Sequence, residues 1–508
     1  MNILFIPQTP FLTQQLGATI EEANKKVLLN NDVFWLSCDK SVGKCVGNQQ
    51  MKSALCYVCN YYEKTGLKYL SKKISIISFS DYLTKSIINK IENLNFSYNS
   101  IEDIKRLEWN GINIGLGAYA TYITLTRNKS IKFNDNFKIF FNEYLVAEVK
   151  LIEVLIQLHF KYHFDKISVF NGRLSQTRPA IEFAIKNKIP YSCLELIAPS
   201  MDGIFFPMNF EQSLPHDIAA YDRKVNEYWN FSNLPIIERE KIACDFYEKR
   251  KKGIRAGDRV YTENQKIGLL PLQWDETVSN ISIFNSSDDE YSSIGGEWDK
   301  GNLFSSQIEG IKKIVEHYLE DKNKHFYLRI HPNLSSVKYK YHTDLYKLNY
   351  PNLTILKSDS PVSTYSLIDN SKIIIVFGSS VGIEAAYWKK PVVLLTKSMY
   401  VYSGCVYYPT NLDSLWALLK TENLPTLFNE SVLKYGFFNN YEPKNTKSLL
   451  NYDYVNIRLF NHEYQSSSFL KVLNSQKLFI IFRKIYFVFF SIITFGKIKY
   501  KTIPSDES

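Results

Sequence analysis

Arg329-Ile330-His331-Pro332-Asn333 and Phe377-Gly378-Ser379-Ser380-Val381-Gly382-Ile383-Glu384-Ala385-Ala386 are the two most informative segments of this chain. Each directly follows a strand-like apolar run, at 326–330 and at 373–377, and places small, polar or cationic residues where that strand would end. In an open parallel α/β sheet, ligands bind at the carboxyl ends of the strands. The second segment also opens a helix, whose free N–H groups and positive dipole end favour an anion. The two segments together predict a diphosphate crevice, which we interpret as a nucleotide-sugar site.

His331 is the first candidate in this crevice. Pro332 has a fixed φ and pushes the residue before it out of the helical region, so His331 should be extended at the strand end. A histidine there can donate to a phosphate oxygen and, when protonated, stabilise charge on a leaving group. Arg329 lies two residues earlier and therefore on the same strand face. The alternative is a strand-end histidine bonded to a backbone carbonyl.

The Ser-Ser segment supplies the second set of candidates. Gly378 and Gly382 let the backbone turn sharply and approach a ligand closely. Ser379 and Ser380 can cap the helix or bond a phosphate. Glu384, in the first helical turn, is placed to accept from both hydroxyls of a ribose. The alternative is an ordinary helix N-terminus with a favourable first-turn carboxylate.

A third polar segment follows the strand predicted at 281–285. Ser286 and Ser287 begin an acidic loop that should lie on the face between the two domains. These hydroxyls are expected to touch the sugar or the phosphate. A solvated turn is the alternative interpretation.

The first half of the chain should supply the acceptor side of the reaction. Asn171, Arg173 and Arg178 follow one predicted strand and precede a helix, and Glu195 ends the next strand. Inverting glycosyl transfer needs one carboxylate to take the proton from the attacking hydroxyl. Glu195 is the first candidate for this base and Asp202 the second. A structural salt bridge between Glu195 and Arg173 or Arg178 is the alternative.

A chain of 508 residues is too long for one hydrophobic core. Strand-like and helix-like segments alternate in both halves, which predicts parallel sheets covered by helices. The predicted fold class is therefore α/β, with two Rossmann-like domains facing across a cleft. We expect an N-terminal acceptor domain at 1–253 that includes a helical linker at 225–253, a donor domain at 254–425, and C-terminal helices at 426–508 that cross back to the first domain.

Four early cysteines form a separate cluster. Cys38, Cys45, Cys56 and Cys59 follow the pattern C-x6-C-x10-C-x2-C. Disulfides are rare in a cytosolic protein. Four thiolates could close a structural zinc site or hold an iron–sulfur cluster, although the outer spacing is not that of a standard zinc finger.

The formal net charge of +10 admits nucleic acid, an anionic membrane or phosphorylated ligands as partners. No basic run interleaved with aromatic residues indicates a nucleic-acid module. Lys471 to Lys501 contains seven Lys or Arg and no acidic residue, and its apolar part at 485–495 is too short to span a bilayer. A helix lying in the membrane interface is expected, with a helix packed on the protein surface as the alternative. Because Met1-Asn2-Ile3-Leu4-Phe5-Ile6-Pro7 lacks a signal-peptide pattern, we expect a cytoplasmic protein attached peripherally to the inner membrane.

Several catalytic motifs are absent from the sequence. There is no P-loop, no G-x-G-x-x-G after a strand and no H-E-x-x-H. These absences count against NTPase, dehydrogenase and zinc protease activities. No Asp-x-Asp motif ends a strand in the manner of metal-dependent glycosyltransferases, so no cofactor is expected for catalysis.

These motifs resemble those of a known group of enzymes. The segments at 329–333 and 379–386, with the closing Lys390-Pro391-Val392, resemble bacterial capsule and lipopolysaccharide biosynthesis glycosyltransferases of the two-domain GT-B type. The pairing of His-Pro with Ser-Ser is similar to that in sialyltransferases and Kdo transferases, which use CMP-sugars, and more loosely to that in CDP-glycerol polymerases. The resemblance is good over about 281–395 and weaker over the first domain, where it includes the Asn171-Gly172-Arg173 turn and the early cysteines.

The resemblance implies an inverting, metal-independent transfer of a sugar from a nucleotide-sugar, with CMP-sugars favoured, to a lipid-linked or polysaccharide acceptor. It assigns His331, Ser379 and Ser380 to the donor phosphate and Glu384 to the nucleotide. Sialyltransferases carry an acidic-acidic-Gly motif for the base, and Met201-Asp202-Gly203 here lacks its first acid. Other capsule or lipopolysaccharide assembly enzymes are expected partners.

Two alternative functions stay open at this stage. A UDP-sugar 2-epimerase has a similar fold with comparable motifs, but the lipophilic basic tail argues against an enzyme of soluble sugars. A non-catalytic scaffold of a capsule assembly complex would not need His331, Glu384 and Glu195 together.

Overall fold

A computed structural model describes residues 1–8, 13–49, 51, 53–92, 94–197, 206–257, 260–441, 456–459 and 462–465. Two sheets organise this part of the chain, one in each half. Over these ranges no helix has both the length and the apolar character needed to cross a bilayer. Asp202 and the basic tail segment lie outside the described residues.

The described residues of the first half form eight strands, which are β1 (Asn2–Ile6), β2 (Asp32–Ser37), β3 (Ser75–Ser78), β4 (Glu108–Trp109), β5 (Ile112–Asn113), β6 (Lys166–Phe170), β7 (Tyr191–Ile197) and β8 (Phe206–Glu211). Six of them form one sheet in the order β3-β2-β1-β6-β7-β8. Neighbours pair in parallel except β8, which runs antiparallel to β7. Strands β4 and β5 form a separate antiparallel pair.

Nine described helices accompany this sheet, namely α1 (Thr13–Leu28), α2 (Ser53–Leu67), α3 (Lys85–Glu92), α4 (Ile101–Lys105), α5 (Gly115–Thr126), α6 (Asp135–Tyr162), α7 (Arg178–Lys186), α8 (Ile218–Asn230) and α9 (Ile236–Lys251). Helix α6 is the longest, with 28 residues. It begins where the Asn134 side chain accepts from the N–H of Phe137, and it ends at His163 in the left-handed conformation. Its apolar face, including Phe141, Leu145 and Ile152, is fully buried in the domain core.

The second sheet consists of β9 (Ser279–Phe284), β10 (Lys324–Arg329), β11 (Leu353–Leu356), β12 (Ile373–Phe377) and β13 (Val392–Thr396). All of its pairs are parallel, in the order β11-β10-β9-β12-β13. The chain first adds strands on one side of β9 and then on the other, so the strand order reverses between β9 and β12. Such a switch point leaves a crevice at the carboxyl ends of the strands.

The helices of the second half are α10 (Asp288–Tyr291), α11 (Gln307–His317), α12 (Lys340–Thr343), α13 (Thr364–Asn370), α14 (Val381–Tyr387), α15 (Leu412–Lys420) and α16 (Glu430–Asn440). Helix α16 packs on α8 and α9, and Phe438 is buried in the core of the first domain. The predicted return of the C-terminal helices to the first domain is therefore observed for α16.

The helical prediction for the rest of the tail is wrong at one place. Two short strands, β14 (Asn456–Leu459) and β15 (His462–Gln465), pair antiparallel there. The sequence Asn456-Ile457-Arg458-Leu459 alternates polar and apolar residues, and this period of two is typical of a strand.

The two halves touch through polar contacts. Arg127 Nε lies 2.9 Å from Asp289 Oδ2, and the Trp298 indole N–H donates to the carbonyl of His216 at 2.8 Å. The predicted fold class is confirmed: two α/β units with Rossmann-like parallel sheets meet across a cleft, in the GT-B arrangement.

Candidate functional site

A cavity of about 390 Å³ opens at the carboxyl ends of β9, β10 and β12. Ligand pockets in proteins typically measure about 300–1,000 Å³. Seven of the predicted donor-side residues line this cavity, namely Ser286, Ser287, Arg329, His331, Ser379, Ser380 and Glu384. Three different strands thus bring residues that are distant in sequence into one site.

His331 is fixed by its backbone and by its ring. Its N–H donates to Asn285 Oδ1 at 2.9 Å, and its Nδ1 accepts from the N–H of Asn333 at 3.1 Å. The ring also packs edge-on against Tyr261 at 5.0 Å. Burial, with Arg127 and Arg329 nearby, lowers the pKa of His331 to about 4. The neutral ring therefore carries its proton on Nε2, where it is a hydrogen-bond donor.

Arg329 holds the loop that follows β11. Its guanidinium donates to the carbonyl of Ser360 at 3.0 Å and, at 3.4 Å, to that of Lys357. The side chain is almost fully buried, and burial lowers its pKa to about 10. Its Nε makes no hydrogen bond to any part of the chain that the structure describes. One buried donor of this cation is therefore left unsatisfied among the described residues.

The loop between β12 and α14 has little space around its backbone. Gly378 has φ +75°, and a Cβ at this position would lie 3.1 Å from the carbonyl oxygen of Lys397. A Cβ at Gly382 would lie 2.2 Å from the hydroxyl of Tyr400, which donates to the carbonyl of Ser379. Gly382 therefore packs against Tyr400, next to the loop, and does not line the cavity. Gly378 makes the sharp turn that was predicted, whereas Gly382 lies inside α14 without a positive φ, where packing against Tyr400 leaves no room for a side chain.

The two serines of this loop have different partners. Ser379 Oγ accepts from the N–H of Val381 at 3.3 Å, and Ser380 Oγ lies 3.4 Å from Glu384 Oε1. Helix α14 has only seven residues, and the Ser380 side chain does not cap it. The Ser379 hydroxyl thus keeps its proton available for donation into the cavity.

Glu384 is buried and already has protein partners. Its Oε1 lies 3.0 Å from Arg250 Nη2, and its Oε2 accepts from the hydroxyl of Tyr365. Each carboxylate oxygen has two acceptor positions, so a ribose hydroxyl would bind beside these groups and not replace them. Sequence reasoning did not identify Arg250 or Tyr365, both of which line the cavity.

Ser286 and Ser287 are both buried at the end of β9. The N–H of Ser286 donates to Gln307 Oε1 at 3.0 Å, and the Gln307 amide donates back to Ser286 Oγ at 3.1 Å. Ser287 Oγ donates to Asp289 at 2.5 Å and accepts from Arg127. These contacts attach the loop to both domains.

Arg127 is a further residue that sequence reasoning missed. It ends α5 in the left-handed conformation, and its Nη1 donates to the carbonyl of Asn333 at 2.8 Å. It therefore joins the loops after β9 and β10 to the first domain. An arginine just after a helix is common, so no local signal marks it.

Glu290 also lines the cavity and was named only as part of a loop. Burial, reinforced by the neighbouring Asp289, raises its pKa. Asn333 Nδ2 donates to Glu290 Oε1 at 3.0 Å. The sequence places Glu290 among three consecutive acids, and nothing in the pattern distinguishes which one faces a ligand.

The predicted acceptor residues cluster around Glu195. Its Oε2 accepts from Asn171 Nδ2 at 2.6 Å, and its Oε1 accepts from the N–H of Leu196 at 2.9 Å. Burial raises the pKa of Glu195 even though these bonds oppose the shift. Burial lowers the pKa of Arg173, and the charges of Glu195 and Glu290 oppose this shift. None of Asn171, Arg173 and Glu195 lines the donor cavity, so their acceptor role stays a prediction from the sequence.

Arg178 is placed differently from the other acceptor candidates. It is buried at the start of α7 and pairs with Glu182. Its charge also acts on Glu148, a fully buried carboxylate whose pKa is raised by burial. Arg178 therefore belongs to the interior of the first domain, where Glu182 and not Glu195 is its ion-pair partner.

The four early cysteines line one apolar cavity of the first domain. Burial raises the pKa of Cys38, and it raises that of Cys45 to about 12. Within the described ranges, His, Cys, Asp and Glu side chains form no group of three or more that could hold a metal ion. The side-chain positions thus do not form a closed four-thiolate site, and the metal hypothesis stays a prediction from the sequence.

The sequence model of one protein family, described as capsule polysaccharide biosynthesis protein, matches residues 298–438. The matched segment contains β10 to β13 and the loops that carry His331, Ser379 and Glu384. No protein of curated function matches the chain.

Solved structures that are similar to this chain share little sequence with it. A β-Kdo 2,4-transferase, KpsC of Thermosulfurimonas dismutans, has 14% identity and a TM-score of 0.34, covering 54% of this chain and 79% of its own. A UDP-GlcNAc 2-epimerase from Neisseria meningitidis has 12% identity and a TM-score of 0.27, covering 86% and 98%. The calicheamicin glycosyltransferase CalG4 has 11% identity and a TM-score of 0.27, covering 86% and 94%. The function proposed below depends on the cavity and not on these similarities.

Proposed function

We propose that this chain is a glycosyltransferase of capsule polysaccharide synthesis. It transfers a sugar from a nucleotide-sugar, with CMP-sugars favoured, to a growing polysaccharide. One observation carries the proposal: a single cavity at the switch point of the second sheet gathers His331, Arg329 and the Ser379/Ser380 pair. The family match over the same segment supports the link to capsule synthesis.

The donor phosphates lie against these residues in our proposal. His331 Nε2 and Ser379 Oγ donate to phosphate oxygens, and the positive charge of Arg329, which lines the same cavity, attracts the phosphates. Charge-assisted bonds of this kind are shorter and stronger than neutral ones. They stabilise the negative charge that develops on the leaving phosphate when its bond to the sugar breaks. This is the step that electrostatic stabilisation accelerates. The ribose binds beside Glu384 and its partners.

Transfer with inversion requires a base on the acceptor side. The acceptor hydroxyl attacks the anomeric carbon, the bond from this carbon to the phosphate oxygen breaks, and the hydroxyl proton passes to a carboxylate. Glu195 and Asp202 are the bases proposed from the sequence, and Glu290 joins them because it lines the cavity. A pKa raised by burial, as at Glu195 and Glu290, suits a base that works near neutral pH.

Thermal-shift measurements with CMP, CDP, UDP and GDP test the donor site. One nucleotide should raise the unfolding temperature, because a ligand at 100 times its Kd stabilises a protein by about 2.7 kcal/mol. The shift should disappear in His331→Ala and persist in His325→Ala. His325 lies at the opposite end of the same strand, where it bonds Thr354 at 2.8 Å. No shift with any of the four nucleotides contradicts the proposal.

Three carboxamide variants identify the base. Glu195→Gln, Asp202→Asn and Glu290→Gln are assayed for transfer and for nucleotide-induced stabilisation. The base is the residue whose variant loses transfer by about 10²–10⁴-fold and keeps its stabilisation by the nucleotide. Conversion of a UDP-sugar to its 2-epimer without any acceptor would instead support the epimerase alternative.

Peripheral attachment to the inner membrane is part of the proposal and depends on the basic tail at 471–501. Deleting residues from Leu478 onward should release the protein from membrane fractions. Sedimentation of the truncated protein with membranes would contradict this placement.

A further inference from the structure

We infer that the outer face of helix α2 binds an anionic membrane surface. The α2 face consists of Lys40, Met51, Tyr57, Tyr61, Lys64, Lys68, Lys72 and Lys73, all of which are exposed. It belongs to the folded first domain and is separate from the basic tail at 471–501. The inference therefore goes beyond the proposed transferase function and does not depend on it.

The exposed charge that the structure describes along residues 40–80 is entirely positive. This segment contains seven lysines and a single acid, Glu63. Glu63 is 1% exposed, and its carboxylate accepts from the indole N–H of Trp35 at 3.3 Å and from the hydroxyl of Ser37 at 2.9 Å. Lys44 is also buried, whereas the five lysines of the α2 face are exposed. The segment thus presents several cations to solvent and keeps its one carboxylate inside.

Tyr57, Tyr61 and Lys64 form one stripe along α2. They are spaced at i, i+4 and i+7, which places them on the same side of a helix. Tyr57 is 63% exposed and Tyr61 is 45% exposed. The other side of the helix is buried through Tyr62 and Glu63. Helix α2 therefore exposes aromatic rings on the side where a surface helix normally carries polar residues.

The apolar part of the α2 face continues beyond the helix. Met51 is 49% exposed, and it lines an open depression of about 300 Å³ together with Lys40, Cys56 and Tyr57. Lys40 Nζ lies 4.0 Å from the centre of the Tyr57 ring. Positive charge and apolar surface therefore lie side by side in one patch.

Lys68, Lys72 and Lys73 extend the positive charge past the end of α2. All three are exposed in the turn that leads from α2 to β3. Strand β3 is at the edge of the first sheet, and no other described strand lies beyond it. This side of the domain is therefore open to a broad, flat partner.

The combination of rings and lysines fits an anionic bilayer better than a soluble acidic polymer. Tyrosine has an apolar ring and a polar tip, and it is enriched at membrane interfaces for that reason. Each lysine near an anionic leaflet contributes about a fivefold gain in affinity. An acidic polymer would pair with the lysines but would leave the Met51 side chain in water. Stable peripheral attachment generally needs two membrane contacts, and the α2 face supplies one in addition to the tail.

The position of α2 is compatible with access to the cleft. Cys56 lines a cavity with Pro7 and Gln8, which follow β1, so the helix begins near the carboxyl edge of the first sheet. It ends at the turn that leads to the amino end of β3. Helix α2 thus runs along the flank of the domain, and a membrane on this flank leaves the carboxyl edge of the sheet uncovered.

Co-sedimentation of the full chain with lipid vesicles tests the α2 face. The probes are vesicles of phosphatidylglycerol, which is anionic, and vesicles of phosphatidylcholine, which has no net charge. The native chain should bind the anionic vesicles at least about tenfold more tightly. Lys64→Glu/Lys68→Glu should weaken this binding by at least about tenfold, because two lysines are replaced by carboxylates. Tyr57→Gln/Tyr61→Gln should also weaken it, because the apolar rings no longer enter the interface.

Two changes at other exposed positions are the matched controls. Lys186→Glu/Lys188→Glu makes the same change of charge just before β7, which is separated from β3 by three strands of the first sheet. Phe231→Gln removes an aromatic ring that is 81% exposed after α8. Both controls should bind the anionic vesicles like the native chain. Nucleotide-induced stabilisation should be unchanged in every variant, which reports separately on the fold and on the donor site.

Three results would overturn the inference. They are binding of the full chain to neither kind of vesicle, equal binding to both kinds, and native binding of Lys64→Glu/Lys68→Glu to the anionic vesicles. In the third case another part of the chain attaches the protein, and the transferase proposal is unaffected. A variant that binds vesicles normally but loses binding to hyaluronan, an acidic polysaccharide, would assign the α2 face to a glycan instead of a membrane.

Discussion

Arg250 Nη2 lies 3.0 Å from Glu384 Oε1, and both side chains are buried. Arg250 belongs to α9, the last helix before the second domain, and Glu384 belongs to α14 at the donor cavity. The charge of Glu384 raises the pKa of Arg250 despite burial. The pair therefore attaches the helical connection between the domains to one wall of the cavity.

Removing Arg250 should destabilise the protein strongly. Arg250→Met leaves Glu384 as an uncompensated buried charge, and breaking a buried pair in this way costs about 3–5 kcal/mol. Urea unfolding measures the change, and adding Glu384→Gln should restore much of it. Lys251→Met is the control, because the neighbouring Lys251–Asp369 pair is partly exposed and should contribute less than about 1 kcal/mol. A loss of under 1 kcal/mol in Arg250→Met would contradict this expectation.

His331 should make stability depend on pH. Its folded pKa of about 4 lies below the ordinary value of 6.5, so the unfolded chain binds more protons between these values. The neutral His331 ring therefore contributes its full stabilisation above about pH 6.5. As the pH falls toward 4, the free energy of unfolding decreases by about 3 kcal/mol because of this residue. His331→Asn should reduce the slope of unfolding free energy against pH in this window.

His163→Asn is the control for the pH experiment, because His163 is exposed and has the left-handed backbone that Asn tolerates. Its slope should match that of the native chain. Equal slopes in His331→Asn and the native protein would contradict the assignment of a depressed pKa to this ring.

Gly378→Ala should impair both stability and nucleotide binding. An alanine at φ +75° is strained by about 1–2 kcal/mol, and its Cβ would also crowd the carbonyl of Lys397. Gly301→Ala separates the two effects, because Gly301 has φ +70° with nothing within 4 Å of an added Cβ. Both variants should lose stability in urea, and only Gly378→Ala should lose affinity for the stabilising nucleotide. Equal nucleotide affinity in the two variants would argue against the β12–α14 loop as part of the site.

Arg127→Met should loosen the contact between the domains. The change leaves Asp289, which is almost fully buried, without its cationic partner, and it frees the loops that carry Ser287 and Asn333. We expect a loss of about 2–4 kcal/mol in unfolding free energy and weaker nucleotide binding.

Lys166→Met, at an ion pair with the exposed Glu211, provides the comparison for Arg127. It should change stability by less than about 1 kcal/mol and leave nucleotide binding unchanged. Similar effects of the two substitutions would mean that Arg127 does not stabilise the loops that line the cavity.

The cysteine hypothesis predicts about one equivalent of zinc or iron per purified chain, lost in Cys56→Ser. Elemental analysis measures the metal, and Cys405→Ser is the control because Cys405 is buried in the second domain. Less than about half an equivalent would remove the proposed metal site and leave four thiols lining an apolar cavity.

Much of the fold follows from local pattern. The strand at 373–377 occurs at the predicted residues, and those predicted at 326–330 and 281–285 differ from the observed strands by only one or two residues at each end, because each is a short apolar run between polar or turn-forming residues. The pair at 456–465 was missed because its alternation covers only a few residues within a region that otherwise predicts helix. Sequence reasoning brought His331, Ser379 and Ser380 to one sheet edge, since parallel strands end on the same side.

The partners of these residues were not predictable in the same way. Arg250 lies in a charged run that looks like an exposed linker, and Glu290 is one of three consecutive acids. Their roles depend on which side chain the packing turns toward the cavity. The Glu182 partner of Arg178 was not predictable for the same reason, because the spacing after the β6 turn does not show which carboxylate α7 brings to this arginine.

Periodicity, turn residues and strand ends are properties of neighbouring residues, and they were enough to define two α/β units with a ligand-binding edge on the second. The surroundings of that edge come from residues far away in the chain. Arg127 reaches the carbonyl of Asn333 across 206 positions, and Arg250 reaches Glu384 from before the second domain begins. Only the packing of the two domains against each other brings such groups within hydrogen-bonding distance. Burial and charge pairing depend on these contacts, and no local sequence pattern encodes them.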